Sequence, residues 1–273
     1  MDRPDPTIPE PLWIALSKLS HIVTREDTEP PLSHHRQYWS SNNTRSPTPI
    51  DPNLHSPRRS PSHPNPKPAF LLLHPTQHNP NYWSRLISYL HRAGYTTLAP
   101  SLPNNWDADI AVIRDATTHL ARDSGYNIVV VLHGSAALAG TRALEGLDKP
   151  SCTQRGWPGG VVWLIYLGGD PMGEAVGHSA SSAQSPHPLA SPSSHATNAY
   201  AAWQHIPTTY ILTHSEQRAT VAAEEWIVKR AVESDRHKID RVVRSEGGQT
   251  AFWSEPEWLA GMLVEEERSV GLG

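Results

Sequence analysis

The chain has 273 residues, enough for one large α/β domain or two small ones. Its net charge of −4 implies no strong pull towards nucleic acid, and its single cysteine, Cys152, excludes an internal disulfide and fits a reducing compartment. No apolar run approaches the ~20 residues needed to span a bilayer, and Asp2, Arg3 and Asp5 among prolines do not make a charged-then-apolar leader, so a soluble, cytoplasmic protein is expected.

Half of the 26 prolines fall within residues 1–67, which read as a Pro-rich N-terminal arm. Inside it Leu12, Ala15, Leu16, Leu19, Ile22 and Val23 recur at helical spacing after Pro9 and Pro11. The spacing predicts an amphipathic helix over about 10–25, placed to dock on the domain, cap a pocket or pair two chains as a homodimer. Residues 28–67 are Pro, Ser, Asn, Arg and His with few apolar side chains, too little to offset their ordering entropy.

Residues 68–273 form the globular domain. Phe70–Leu73 is a short buried strand ending at His74, and residues 82–93 are an amphipathic helix stopped by Gly94. Residues 95–98 are a second strand, and residues 106–122 are helical through Ile110, Ile113, Ala116 and Leu120. Ile128–Leu132 is a continuous apolar run, the pattern of a strand buried on both faces, and residues 159–166 repeat it. Residues 168–205, rich in Gly, Ser, His and Pro early on, break the rhythm where a lid would be inserted. Strand 208–212, helix 220–232, strand 240–244 and a closing helix over 255–267 follow. Strands alternating with helices predict an α/β fold, a mostly parallel sheet with helices on both faces.

The stretch NIVVVLHGSAALAG organises the rest. A buried strand meets His133 and Gly134, and small helix formers begin at Ser135. A serine at a sharp strand-to-helix turn is how α/β-hydrolases expose a nucleophile, with backbone N–H groups and the helix dipole beside its hydroxyl. Against the usual G-x-S-x-G, alanines or other residues stand where glycines are usual: the five residues are His133, Gly134, Ser135, Ala136 and Ala137.

Several landmarks together resemble the small fungal and bacterial α/β-hydrolases of esterase type. They are FLLLHPTQHNPNYWSRLISYLHRAGYTTLAPSLP, VVVLHGSAALAG, GGVVWLIYLGG, YAAWQHIPTTYILTHSEQ and EGGQTAFWSEPEWLAGML, in the family's order over residues 69–268. The resemblance implies the α/β-hydrolase fold with a lid, no cofactor and no metal, and a small-molecule substrate. It puts Ser135 at the nucleophile position and Glu216 at the acid position. The histidine position, within the family's G-H-S-P-F, is Gln249 in Gly248-Gln249-Thr250-Ala251-Phe252. The oxyanion loop also departs, as His74-Pro75-Thr76-Gln77-His78. Pro75 has no N–H, which leaves the Thr76 or Gln77 amide as the loop donor, with His78 and Ala136 as further oxyanion or substrate-binding candidates.

A neutral glutamine amide cannot take a serine's proton near pH 7. Three alternatives follow. A histidine elsewhere, His74 or His133 at the strand ends or His78 on the loop, serves as base for hydrolysis. Or the polar cluster runs a lyase, cyclisation or isomerisation step of specialised metabolism without hydrolysis. Or the chain is a non-catalytic hydrolase-fold protein that binds a ligand or partner.

Overall fold

The computed structural model describes residues 22–23, 67–76, 78–172, 200–213, 218–234, 236–245, 247 and 251–269. The strands are β1 (Ile22–Val23), β2 (Ala69–Leu73), β3 (Thr96–Leu98), β4 (Asn127–His133), β5 (Gly160–Leu167), β6 (Thr208–Thr213) and β7 (Ile239–Ser245). The helices are α1 (Ser84–Arg92), α2 (Trp106–Thr118), α3 (Ala136–Ala143), α4 (Lys149–Gln154), α5 (Arg218–Glu233), α6 (Ala251–Ser254) and α7 (Pro256–Ser269). The strands make one sheet in the order β1-β7-β6-β5-β4-β2-β3, every pair parallel.

The continuous apolar runs put β4 and β5 at the centre, covered on both faces as parallel strands require. Ile128 to Leu132 are at most 1% exposed. Alternation then splits the core in two. Leu71, Leu73, Val130, Leu132, Tyr166 and Leu212 face α2, α3 and α5 on one side. Phe70, Leu72, Val131, Ile165 and Ile211 face α1 and α7 on the other. At about 1.5–3 kcal/mol for each large apolar side chain taken out of water, the central strands supply much of the hydrophobic stabilisation.

Caps set the helix starts. Asn105 accepts from the Ala108 N–H to begin α2, and Asp148 accepts from the Ser151 N–H to begin α4, with Pro150 in its first turn. The sequence periodicity does not reveal α4, which is six residues long and largely polar. Of the helix expected over 10–25, Ile22 and Val23 are the described residues, and they correct it there: they are extended, pairing with Val242 and Val243. Two β-branched residues beside an unpaired sheet edge add a strand more readily than a helix turn. The rest of that helix, residues 28–66 and most of the expected lid (173–199) lie outside the described residues.

Candidate functional site

Parallel strands bring their carboxyl ends to one edge, and the sequence-predicted residues His74, Thr76, His133 and Ser135 all stand there. Glu216, Gln249 and Gln77 lie outside the described residues. Phe252, three residues beyond Gln249, packs at this edge, its ring 5.6 Å from that of His133.

The turn after β4 is made by Gly134. The left-handed backbone belongs to Gly134, with φ of 54°, and not to Ser135. Ser135 is already helical, at φ −64° and ψ −20°, as the residue that opens α3. Glycine takes a positive φ without steric cost, so the chain reverses at Gly134 and the helix starts one residue sooner. The next loop depends on this: Gly169 lies so close that a Cβ there would collide with the Gly134 carbonyl.

The Ser135 hydroxyl is tied to the loop after β2. The Thr76 N–H donates to Ser135 Oγ at 2.7 Å, and the two hydroxyls are 2.8 Å apart. Thr76 is the first residue after Pro75 with an amide to give, and that amide now points at the serine. His78 steadies the loop, its Nδ1–H donating to the Thr76 carbonyl at 3.0 Å and its own N–H donating to the Pro75 carbonyl.

Neither strand-end histidine reaches this serine. His74 is fully buried; its Nδ1–H donates to the Pro75 carbonyl at 3.0 Å, and its Nε2 accepts from the Leu102 N–H at 3.1 Å. With both ring nitrogens held by backbone, it positions the oxyanion loop and the loop after β3. His133 continues the other face of β4, and its Nδ1 hydrogen-bonds the Tyr82 hydroxyl at 3.1 Å. Its ring lies among those of Tyr82, Trp83 and Phe252. Burial, and secondarily the charge of nearby His78, push its pKa down to about 3, so it stays neutral. Among the described residues no imidazole bonds to Ser135, which corrects the expectation of a relocated base at His74 or His133.

A small recess opens beside the serine, lined by His74, Thr76, Asn104, Trp106, Asp109 and Ser135. It has at most the room that one water molecule needs. Asn104 and Asp109, which no sequence pattern singles out, shape it. Asn104 is the one non-glycine among the described residues with positive φ, at 62°, and its N–H donates to Asp109 Oδ1 at 3.0 Å. Asparagine is among the few residues that tolerate this backbone, and the carboxylate at the start of α2 holds it there.

A second buried acid stands past the elbow. Glu224 of α5, 4% exposed, accepts from the Thr213 N–H and hydroxyl, each at 2.7 Å, at the end of β6. Burial pushes its pKa up to about 7, although both Thr213 bonds pull it down. It clamps the strand that leads to Glu216. The preceding Tyr210 donates its hydroxyl to the Gly169 carbonyl at 2.5 Å. Among the described residues no three His, Cys, Asp or Glu side chains group as a metal site, and no helix is long and apolar enough to cross a membrane.

No protein-family model matches the chain. Similar solved structures are tomato methylketone synthase I bound to 2-tridecanone (15% identity, 74% of this chain and 98% of that one, TM-score 0.53) and a polyneuridine aldehyde esterase mutant (11%, 73% and 98%, TM-score 0.56). A pyrethroid hydrolase from Sphingobium faniae gives 13% identity, 74% and 98% coverage and a TM-score of 0.51. The chain has the α/β-hydrolase fold. A curated relative, the α/β hydrolase nvfD of Aspergillus novofumigatus, is 23% identical over 248 residues, 72% of this chain and 95% of its own length. In the α/β-hydrolase fold the strand-to-helix turn after β4 carries the nucleophile, and the loop after β2 supplies an oxyanion donor. In this chain the turn after β4 is Gly134-Ser135, and the loop after β2 contains Thr76.

Proposed function

We propose that this protein is an α/β-hydrolase-fold enzyme that acts on a small molecule without forming an acyl-serine. Its site anchors a carbonyl or related oxygen and carries out a lyase, cyclisation or isomerisation step, in the manner expected of specialised metabolism. The observation that supports this is that, among the described residues, no imidazole bonds to Ser135 Oγ. That oxygen bonds the amide and hydroxyl of Thr76. A serine that must attack needs a base on its proton, and removing one triad member costs several powers of ten in rate. What remains is oxyanion binding, the Thr76 amide serving as donor once a ligand oxygen takes the place of Ser135 Oγ, and proton transfer, for which Glu216 is the sequence candidate. The buried free thiol of Cys152 suits a reducing cytoplasm. The neighbours' names span a synthase, an esterase and a hydrolase, so the fold accommodates each chemistry.

Activated-ester hydrolysis by the wild type and Ser135→Ala tests the reading: equal rates are expected, and a tenfold or larger loss in Ser135→Ala overturns it. One observation favours a binding protein as the second reading, namely that the amide and hydroxyl of Thr76 both engage the Ser135 hydroxyl, which leaves that hydroxyl a structural tie. A metabolite extract incubated with the protein and followed by mass spectrometry separates the two. An enzyme converts many equivalents, whereas a binding protein retains at most one.

A further inference from the structure

We infer that the nucleophile's place in this molecule is held by Gly134 and not by Ser135. The inference deepens the reading above, and rests on it, by naming the backbone position from which a reacting side chain is missing.

The backbone supports it first. The nucleophile of this fold sits at the strained residue between an extended strand and a helix. Between β4 and α3 the left-handed residue is Gly134, and Ser135 already has ordinary helical geometry. The available space supports it next. Other left-handed glycines at this edge exclude a side chain: a Cβ on Gly168 would lie 2.8 Å from Glu224 Oε1, and one on Gly169 would strike the Gly134 carbonyl. Among the described residues, a Cβ on Gly134 would meet one atom within 4 Å, Pro75 Cβ at 3.4 Å, an ordinary contact, so the positive φ rather than crowding is what would strain a side chain there. Glycine is therefore not required there by packing, and the elbow has room for a serine that the chain does not place. The direction of Ser135 completes the case. Its hydroxyl bonds Thr76 on the oxyanion loop and lines the recess with Asn104 and Asp109. That makes Ser135 a positioning residue, which holds the loop amide, and leaves the room beside the Gly134 Cα for the ligand's carbonyl group.

The test restores the missing parts. A fluorophosphonate probe labels an activated serine: the Oγ–P bond forms, the P–F bond breaks, the hydroxyl proton passes to a base and fluoride leaves. Wild type, Gln249→His and Gly134→Ser/Gln249→His are treated with the probe and the adduct is located by peptide mass spectrometry. The expected result is no adduct in wild type or Gln249→His, and an adduct at residue 134 in the double variant. An adduct at Ser135 in Gln249→His, with wild type unlabelled, overturns the inference and spares the proposed function. An adduct at Ser135 in wild type overturns both. A folded double variant that stays unlabelled also overturns the inference. Should the double variant fail to fold, Gly134→Cys and Ser135→Cys decide: alkylation at pH 7 is expected to be faster at residue 134 than at residue 135, and the reverse order overturns the inference. Buried Cys152 serves as the unreactive internal reference.

Discussion

His74 and His133 end adjacent parallel strands, yet they stand in opposite kinds of surroundings. The His74 side of the edge is held by backbone: both ring nitrogens, the Thr76 amide and the Asn104 amide are committed to local polar bonds. The His133 side is aromatic: Tyr82, Trp83 and Phe252 surround a neutral ring. One side positions donors and the other packs. A histidine at a strand end is therefore no guide to chemistry until its two nitrogens are traced.

The largest expected effect lies on the packing side. Trp83 is fully buried, and Trp83→Ala is expected to cost about 3–5 kcal/mol in chemical denaturation. A cost near zero would show that the aromatic cluster does not hold the elbow. Next comes the acid limb of stability. His133 has its folded pKa lowered from 6.5 to about 3, so its contribution is complete above 6.5 and lost as pH falls towards 3. His133→Gln is expected to flatten that limb, and an unchanged slope would remove the buried imidazole from the account. Glu224 gives the opposite sign. Its pKa is raised from 4.5 to about 7, so stability is full below 4.5 and declines as pH rises through 7. The decline is about 3 kcal/mol by linkage, and Glu224→Gln should abolish it. A denaturation series across pH that shows no such decline would refute the buried clamp. The smallest effect belongs to the polar side: Thr76→Val, which removes the hydroxyl pairing with Ser135, is expected to cost about 1 kcal/mol. A loss several times larger would mean that the recess carries structural weight like that of the aromatic side.

The strands were legible because burial on both faces demands unbroken apolar runs, and Ile128–Leu132 and Val161–Leu167 supply them. The short helix at Lys149–Gln154 was not legible by period, although Asp148 followed by Pro150 carried its start signal. At the elbow, spacing drew attention to the serine, while the physical requirement was a residue able to take positive φ. Gly134 met it, so the signal was present in the residue type and absent from the motif. The surroundings of the histidines were beyond sequence pattern altogether. His74 meets Leu102, 28 positions away, and His133 meets Tyr82, 51 away; such pairings exist only once the sheet has formed.

The all-parallel sheet also governs how the chain reaches its native state. Among the described residues no ladder is closed by a tight hairpin, so each pairing waits for an intervening crossover to be made and folded back. Such topology slows folding, because loop-closure entropy must be met before the distant contacts reward it. During synthesis β2 can find β3 and then β4, whereas the β6 edge stays uncovered until β7 emerges. Over that interval the half-made sheet presents an open flank to other nascent chains, a hazard that ends when β7 pairs with β6.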